Sequence, residues 1–163
     1  MRKQFYILFV MLTFFSCIGG GTLGGSKNFV FSCSRREVLA KMDVFLELNK
    51  EYELPLKYSE QDDWSEKGYD FLHYRLFYFK NDPEEIYYVS LVKNELDENL
   101  DSKPSNIAVR SYFDFKQKYW INGVGWKKED KKRIEARFTK VYNELLDLKV
   151  DTVSTKKYSE ISY

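Results

Sequence analysis

The chain has 163 residues, with 26 basic against 25 acidic side chains and a formal charge of +1. At 44% hydrophobic and 31% charged, it is neither a disordered segment nor a multi-span membrane protein. The charge balance argues against nucleic acid as a partner, which asks for a basic excess. One histidine (His73) and two cysteines (Cys17 and Cys33) are too few for a zinc site of about four Cys and His ligands.

The amino end is the most informative stretch. Arg2 and Lys3 precede an uncharged apolar run, Phe5 to Phe15, followed by Ser16, Cys17 and a glycine-rich segment. A membrane-spanning helix needs about 20 apolar residues, so this run is too short to cross. The succession of basic, apolar and small residues is that of a secretory signal peptide. Glycine at 19, 20, 21, 24 and 25 argues against a buried helix of the mature fold.

Phe14-Phe15-Ser16-Cys17 resembles the lipobox of bacterial lipoproteins. Ser16 supplies the small residue before the cut, while Phe14 and Phe15 depart from the usual leucine and small residue. The resemblance covers the leader and Cys17 only. It implies cleavage before Cys17, a diacylglycerol on its thiol, and a location in the bacterial cell envelope on a membrane. Ordinary signal-peptidase cleavage is the alternative.

Residues 17–33 read as a flexible tether, since Ile18 to Ser26 lacks charge and is rich in glycine. A phosphate-binding loop would need a preceding strand and a Lys-Ser/Thr pair, whereas Ser26-Lys27 has the reverse order. With Cys17 lipidated, Cys33 stands alone next to a helix start, where thiolate is favoured. It reads as a small buried apolar residue, with a reactive thiol as the sharper alternative. An unlipidated Cys17 at a new amino terminus would allow a Cys17–Cys33 disulfide.

A single α+β domain is expected over 34–150. Ser34 and Glu37 form a capping box ahead of Val38, Leu39, Met42, Phe45 and Leu46, predicting a helix from about Arg35 to Glu51. Residues 56–68, with Trp64, read as a surface loop. Tyr69 to Lys80 and Ile86 to Lys93 are aromatic or β-branched and flank the turn residues Asn81-Asp82-Pro83, so a hairpin is expected. From Asn106 to Lys116, apolar and polar residues alternate, predicting a strand with Val109, Phe113 and Phe115 on its apolar face. Tyr119-Trp120-Ile121 continues it or makes a short fourth strand. Ile134, Phe138, Val141, Tyr142, Leu145 and Leu148 predict a second helix from about Lys127 to Leu148. Its basic start, Lys127-Lys128 with Lys131-Lys132-Arg133, reads as a solvated face or a contact with acidic lipid. Residues 151–163 read as a frayed tail.

The expected architecture is a two-layer sandwich, an antiparallel sheet of three to four strands with two helices on one face, in the order α-β-β-β-α. The other face would then be open and polar, bearing Arg110 and Tyr112 with His73 and Arg75. Trp64, Trp120 and Trp126 complete the candidate binding surface, because rings beside polar groups stack on sugars or hold a protein partner. No catalytic set, metal site or cofactor motif is recognisable. The first functional expectation is a membrane-tethered binding or accessory module, held to the membrane by a lipid anchor, with an envelope protein or a glycan as partner. The second is a small envelope hydrolase or thiol enzyme using Cys33 and His73, for which the sequence names neither an orienting acid nor an oxyanion hole.

Overall fold

The computed structural model describes residues 25–66, 73–92, 99–145 and 147–156. The leader, Cys17 and the glycine-rich residues up to 24 lie outside the described residues, as do 157–163 of the expected tail. The elements are β1 (Ser26–Phe31), α1 (Arg35–Leu48), two 3₁₀ turns (Lys50–Tyr52 and Leu56–Gln61), β2 (Tyr74–Phe79), β3 (Glu85–Leu91), β4 (Ser105–Asp114), β5 (Tyr119–Asn122), α2 (Lys128–Lys140), a π-helical turn (Val141–Leu145) and β6 (Thr152–Lys156).

The α+β class with an antiparallel sheet holds. The strand count and element order differ from the expectation: among the described residues six strands form one sheet, in the order β2-β3-β4-β1-β6 with β5 paired to β4. A strand therefore precedes the first helix and another follows the second. The segment expected to be a tether supplies β1, an interior strand hydrogen-bonded to β4 on one side and β6 on the other. Thr152–Lys156, expected as frayed tail, is its outer neighbour.

Strand β4 is longer than any one partner on that edge. β1 pairs with its first half, through Phe31↔Ser105 to Lys27↔Val109, and β5 takes the second half, through Ser111↔Asn122 to Asp114↔Tyr119. The two short strands meet end to end at Gly25 and Gly123. A side-chain carbon on Gly123 would stand 2.4 Å from the carbonyl carbon and oxygen of Gly25, and Gly25 itself has φ +111°. Only glycine allows this approach of two backbones.

β3 and β4 lose register between Tyr88 and Val89: Tyr88 faces Ser111, but Val89 faces Val109. Arg110 is the extra residue of a β-bulge, and a shift by one residue reverses which side chains face each way. Val109 and Ile107 thus join the core beneath the helices with Phe29, Phe31, Phe77, Tyr87, Val38, Met42, Phe45, Ile134 and Phe138. Past the bulge it is Tyr112 that joins this core, while Phe113 and Phe115 turn to the opposite side. The expected row of Val109, Phe113 and Phe115 on one face is corrected accordingly.

The opposite face is not open. Trp64, Leu76, Tyr78, Ile86, Tyr88 and Phe113 form a second buried cluster, with Leu54, Tyr58, Tyr74, Phe115 and Trp120 packed against it. The expected surface loop is the cover: its 3₁₀ turn places Tyr58 4.5 Å from the Phe115 ring, and the Trp64 ring lies 4.1 Å from Tyr88. Tyr58 and Tyr78 both donate hydrogen bonds to Glu84. Those hydroxyls hold the Glu84 carboxyl below its ordinary range, against the opposing effect of burial.

Helix α1 starts after Ser34, whose Oγ accepts from the Glu37 amide at 3.2 Å, the N-cap half of the expected capping box. It ends earlier than expected, where Asn49 Nδ2 donates to the Phe45 carbonyl. α2 begins at Lys128, with the Lys127 amide donating to Asp130 Oδ2 at 2.8 Å. The π-helical turn that follows it carries Tyr142 into the core, edge-on to Phe29 and Phe31 at 5.1 Å from each. Among the described residues, no helix is long and apolar enough to cross a membrane.

Candidate functional site

A cleft of about 810 Å³ opens at the end of the sheet, between the β4–β5 hairpin, the β2–β3 turn and the first turns of α2. Its floor is Tyr112, Glu85 and Arg133, and Tyr119, Trp120 and Ile121 come from β5. Lys80 and Asp82 approach from the β2–β3 turn, Lys116 and Gln117 from the hairpin turn, and Lys127 and Asp130 from α2.

The floor is a closed ionic network. Glu85 starts β3 and is 2% exposed. Arg133 NH2 lies 2.7 Å from its Oε1, and Arg137 NH1 lies 2.7 Å from its Oε2. The Tyr87 hydroxyl donates to Oε2 as well, and itself accepts from Arg137 at 3.1 Å. Asp130 takes another hydrogen bond from Arg133 at 2.9 Å, and Arg137 also donates to the Pro83 carbonyl at 2.9 Å. Burial works against the Arg133 charge, but its bonds to Glu85 prevail and hold its pKa well above the ordinary value. Its guanidinium stands 5.5 Å over the Tyr112 ring. The Tyr112 phenol is pushed up to about 12, first by burial and then by the charges of Asp130 and Glu85. Two guanidiniums and two carboxylates neutralise each other, so the floor presents little net charge to a ligand.

The mouth is aromatic and polar. Tyr119 is 52% exposed, and its hydroxyl donates to Gln117 Oε1. Trp120 is half-buried, its ring 4.9 Å from Trp64 and 5.7 Å from Phe113. Asp114 is occupied as an acceptor, from the amides of Lys116 (2.7 Å) and Gln117 (3.1 Å) and from Gln117 Nε2 (2.9 Å). What this arrangement offers is ring faces, amides and hydroxyls above a neutralised base.

The residues expected to share one binding surface are dispersed. Tyr112 and Trp120 line the cleft. His73 and Arg75 border a separate shallow groove at β2 with Leu54, Leu56 and Asp62. Arg75 there forms a bidentate pair with Asp43 of α1, which holds its pKa up. Arg110 turns away from Tyr112 because of the bulge, donates to Ser90 Oγ at 2.6 Å, and has its pKa lowered by burial. Trp64 and Trp126 are each 5% exposed, Trp64 in the second core cluster and Trp126 in the first. The Trp126 indole N–H donates to the Ile121 carbonyl at 3.1 Å. Glu85 and Arg137 were not singled out by the sequence, and Arg133 entered only as part of the basic start of α2. The i,i+4 spacing of the two arginines was the signal available, but it reads equally as a solvated helix flank.

Cys33 and His73 do not form a dyad. Cys33 follows β1 and His73 precedes β2, and β3 and β4 lie between those strands. Three strand spacings separate them by about 14 Å across the sheet. The Cys33 thiol has its pKa raised, first by burial and then by the Glu37 carboxylate, the reverse of the expectation for a helix start. Iodoacetamide is therefore expected to alkylate Cys33 in the native protein more slowly at neutral pH than it alkylates free cysteine. The rate should climb only as pH passes above the ordinary thiol range. Alkylation as fast as free cysteine, followed by mass spectrometry, would show an activated thiolate instead.

Among the described residues, no group of three or more His, Cys, Asp or Glu side chains is placed to hold a metal ion. No family model, no curated protein and no solved structure matches this chain.

Proposed function

We propose that the protein is a membrane-tethered lipoprotein of the bacterial cell envelope that acts as a binding module, with the cleft at the β4–β5 hairpin as its site. The tether rests on the leader and Cys17. The site rests on one observation: rings of Tyr119 and Trp120 border a cleft on whose floor Glu85 and Asp130 are paired with Arg133 and Arg137. A charged ligand gains little from a neutralised floor, whereas a sugar ring gains stacking on an aromatic face and hydrogen bonds from the surrounding amides and hydroxyls. The volume falls within the range of small-ligand pockets, about 300–1,000 Å³. A glycan strand of the envelope is the partner that fits.

Intact mass of the protein extracted from membranes tests the tether: a chain beginning at Cys17 and carrying the added mass of acyl chains is expected. Titration of the full chain with an N-acetylglucosamine oligomer, followed by tryptophan emission, tests the site. A saturable change is expected that Trp120→Ala removes and Arg75→Ala leaves intact. Equal binding by the wild type and Trp120→Ala would remove the cleft from consideration.

A further inference from the structure

The point where the chain enters the domain is fixed by packing. An ideal Cβ on Gly25 lies 3.0 Å from the Gly123 carbonyl carbon and 3.2 Å from the Val124 nitrogen, so residue 25 sits against the turn between β5 and α2. That turn exposes an apolar side chain, with Val124 at 73%. Directly after it come Lys127 and Lys128, both exposed, then Lys131 and Lys132.

These lysines lie on a definite flank of α2. A residue turns about 100° from the last along a helix. On one flank, Asp130, Arg133 and Arg137 reach toward Glu85 of β3. On the other, Glu135 meets Lys27 of β1, with Lys27 Nζ 2.6 Å from Glu135 Oε2. Lys128, Lys131 and Lys132 fall on this second flank, the side of β1 where the chain enters. The acids nearby are Glu129, Asp130 and Glu135. Asp130 is taken by the Lys127 amide and Arg133, and Glu135 by Lys27, so Glu129 alone is left against four lysines without an ion pair among the described residues.

We infer that the β5–α2 turn and this flank of α2 form a docking face for an anionic phospholipid surface, with Val124 entering the headgroup layer and Lys128, Lys131 and Lys132 meeting lipid phosphates. The inference rests on the tethered reading. Eight residues lead from Cys17 to Gly25, and a chain of that length reaches at most about 29 Å. The face beside Gly25 is thus kept within about 29 Å of the anchored residue. Lysines near an anionic surface contribute about 1 kcal/mol each, and the attraction fades beyond a Debye length of about 8 Å in physiological salt. The connection reaches beyond that range, so it delivers the face to the surface and the lysines hold it there.

The test uses the full chain in phospholipid vesicles, with an environment-sensitive fluorophore on Val124→Cys in a Cys33→Ala background. On vesicles one-third phosphatidylglycerol, label emission is expected to shift to the blue. The shift should vanish on pure phosphatidylcholine and in about 1 M salt, where the Debye length is about 3 Å. It should also vanish in Lys128→Gln/Lys131→Gln/Lys132→Gln, whose glutamines keep helix propensity close to that of lysine. A label at Leu56→Cys, also exposed, should not shift. An unshifted label at 124 on anionic vesicles, or an equal shift on neutral ones, overturns the docking face. The tether is scored separately: release of the protein from vesicles in high salt, or a second label on a free Cys17, overturns that reading whatever label 124 does.

Discussion

Replacing Glu85 by alanine should cost about 3–5 kcal/mol of folding stability, read as a lower midpoint of urea unfolding. The carboxylate is almost wholly buried, and three donors converge on it: Arg133, Arg137 and the Tyr87 hydroxyl. Removing it leaves Arg137 without a carboxylate and Arg133 with Asp130 alone, in a partly dry setting where an unpaired charge is far costlier than the pair is favourable. The Arg133 side chain keeps 24% exposure, and water reaching it places the loss toward the lower end of that range. Glu85→Gln keeps the volume and one acceptor and should lose less. The double variant Glu85→Gln/Arg133→Met should recover part of the loss, because it also removes one guanidinium left short of a carboxylate. A change below about 1 kcal/mol for Glu85→Ala would mean that the network is solvated, which would also undo the neutral floor on which the choice of a glycan rests. The same substitution should weaken binding in the cleft, since Arg133, held then by Asp130 alone, would lose its fixed place over the Tyr112 ring.

Phe138→Ala should be about as damaging, at roughly 3–5 kcal/mol, by leaving a cavity at the centre of the main core. The side chain is fully buried. Its ring meets Tyr87 at 5.1 Å, Phe77 at 5.6 Å, Phe79 and Tyr142 at 5.7 Å, and Phe29 at 6.2 Å. These partners come from β1, β2, β3 and the π-helical turn, so no single neighbour can relax to fill the space. Phe138→Leu keeps most of the volume and should cost less than about 1.5 kcal/mol. Domains of this kind are stable by only about 5–15 kcal/mol, so the alanine variant should unfold well below the wild-type temperature in a calorimeter. Equal midpoints for alanine and leucine would show that the core collapses around the gap.

Much of the helix and hairpin structure was legible in the sequence, because each rests on a local signal. Ser34 caps α1, and Val38, Met42 and Phe45 are spaced to meet the sheet on one side. The aromatic runs around Asn81-Asp82-Pro83 pair as expected in β2 and β3. What escaped depends on partners distant in sequence. β1 contains Ser26, Lys27 and Asn28, which suit a surface segment. All three are buried, Lys27 by reaching Glu135 and Ser26 by donating to Asn28. β6 is polar, and its strand form comes from pairing with β1.

The bulge at Arg110 misplaced the candidate surface. Strict alternation puts Arg110 and Tyr112 on one face, and that parity fails when one residue is skipped. Ser111, a polar residue in a row otherwise apolar, was the discord that marked it. The cleft was legible only through Tyr112, Tyr119 and Trp120, since pairing among Glu85, Arg133 and Arg137 requires knowing which face of α2 lies over β3.

The partners of β1 are β4 and the final strand, and Ser26 faces Lys156. One edge of β1 can pair once Ser105–Val109 has been made, whereas the other is filled only by Thr152–Lys156. Pairings between such remote segments are slow to form, because the intervening loop must close first. The sheet is therefore complete only when the two described segments farthest apart in sequence have met side by side.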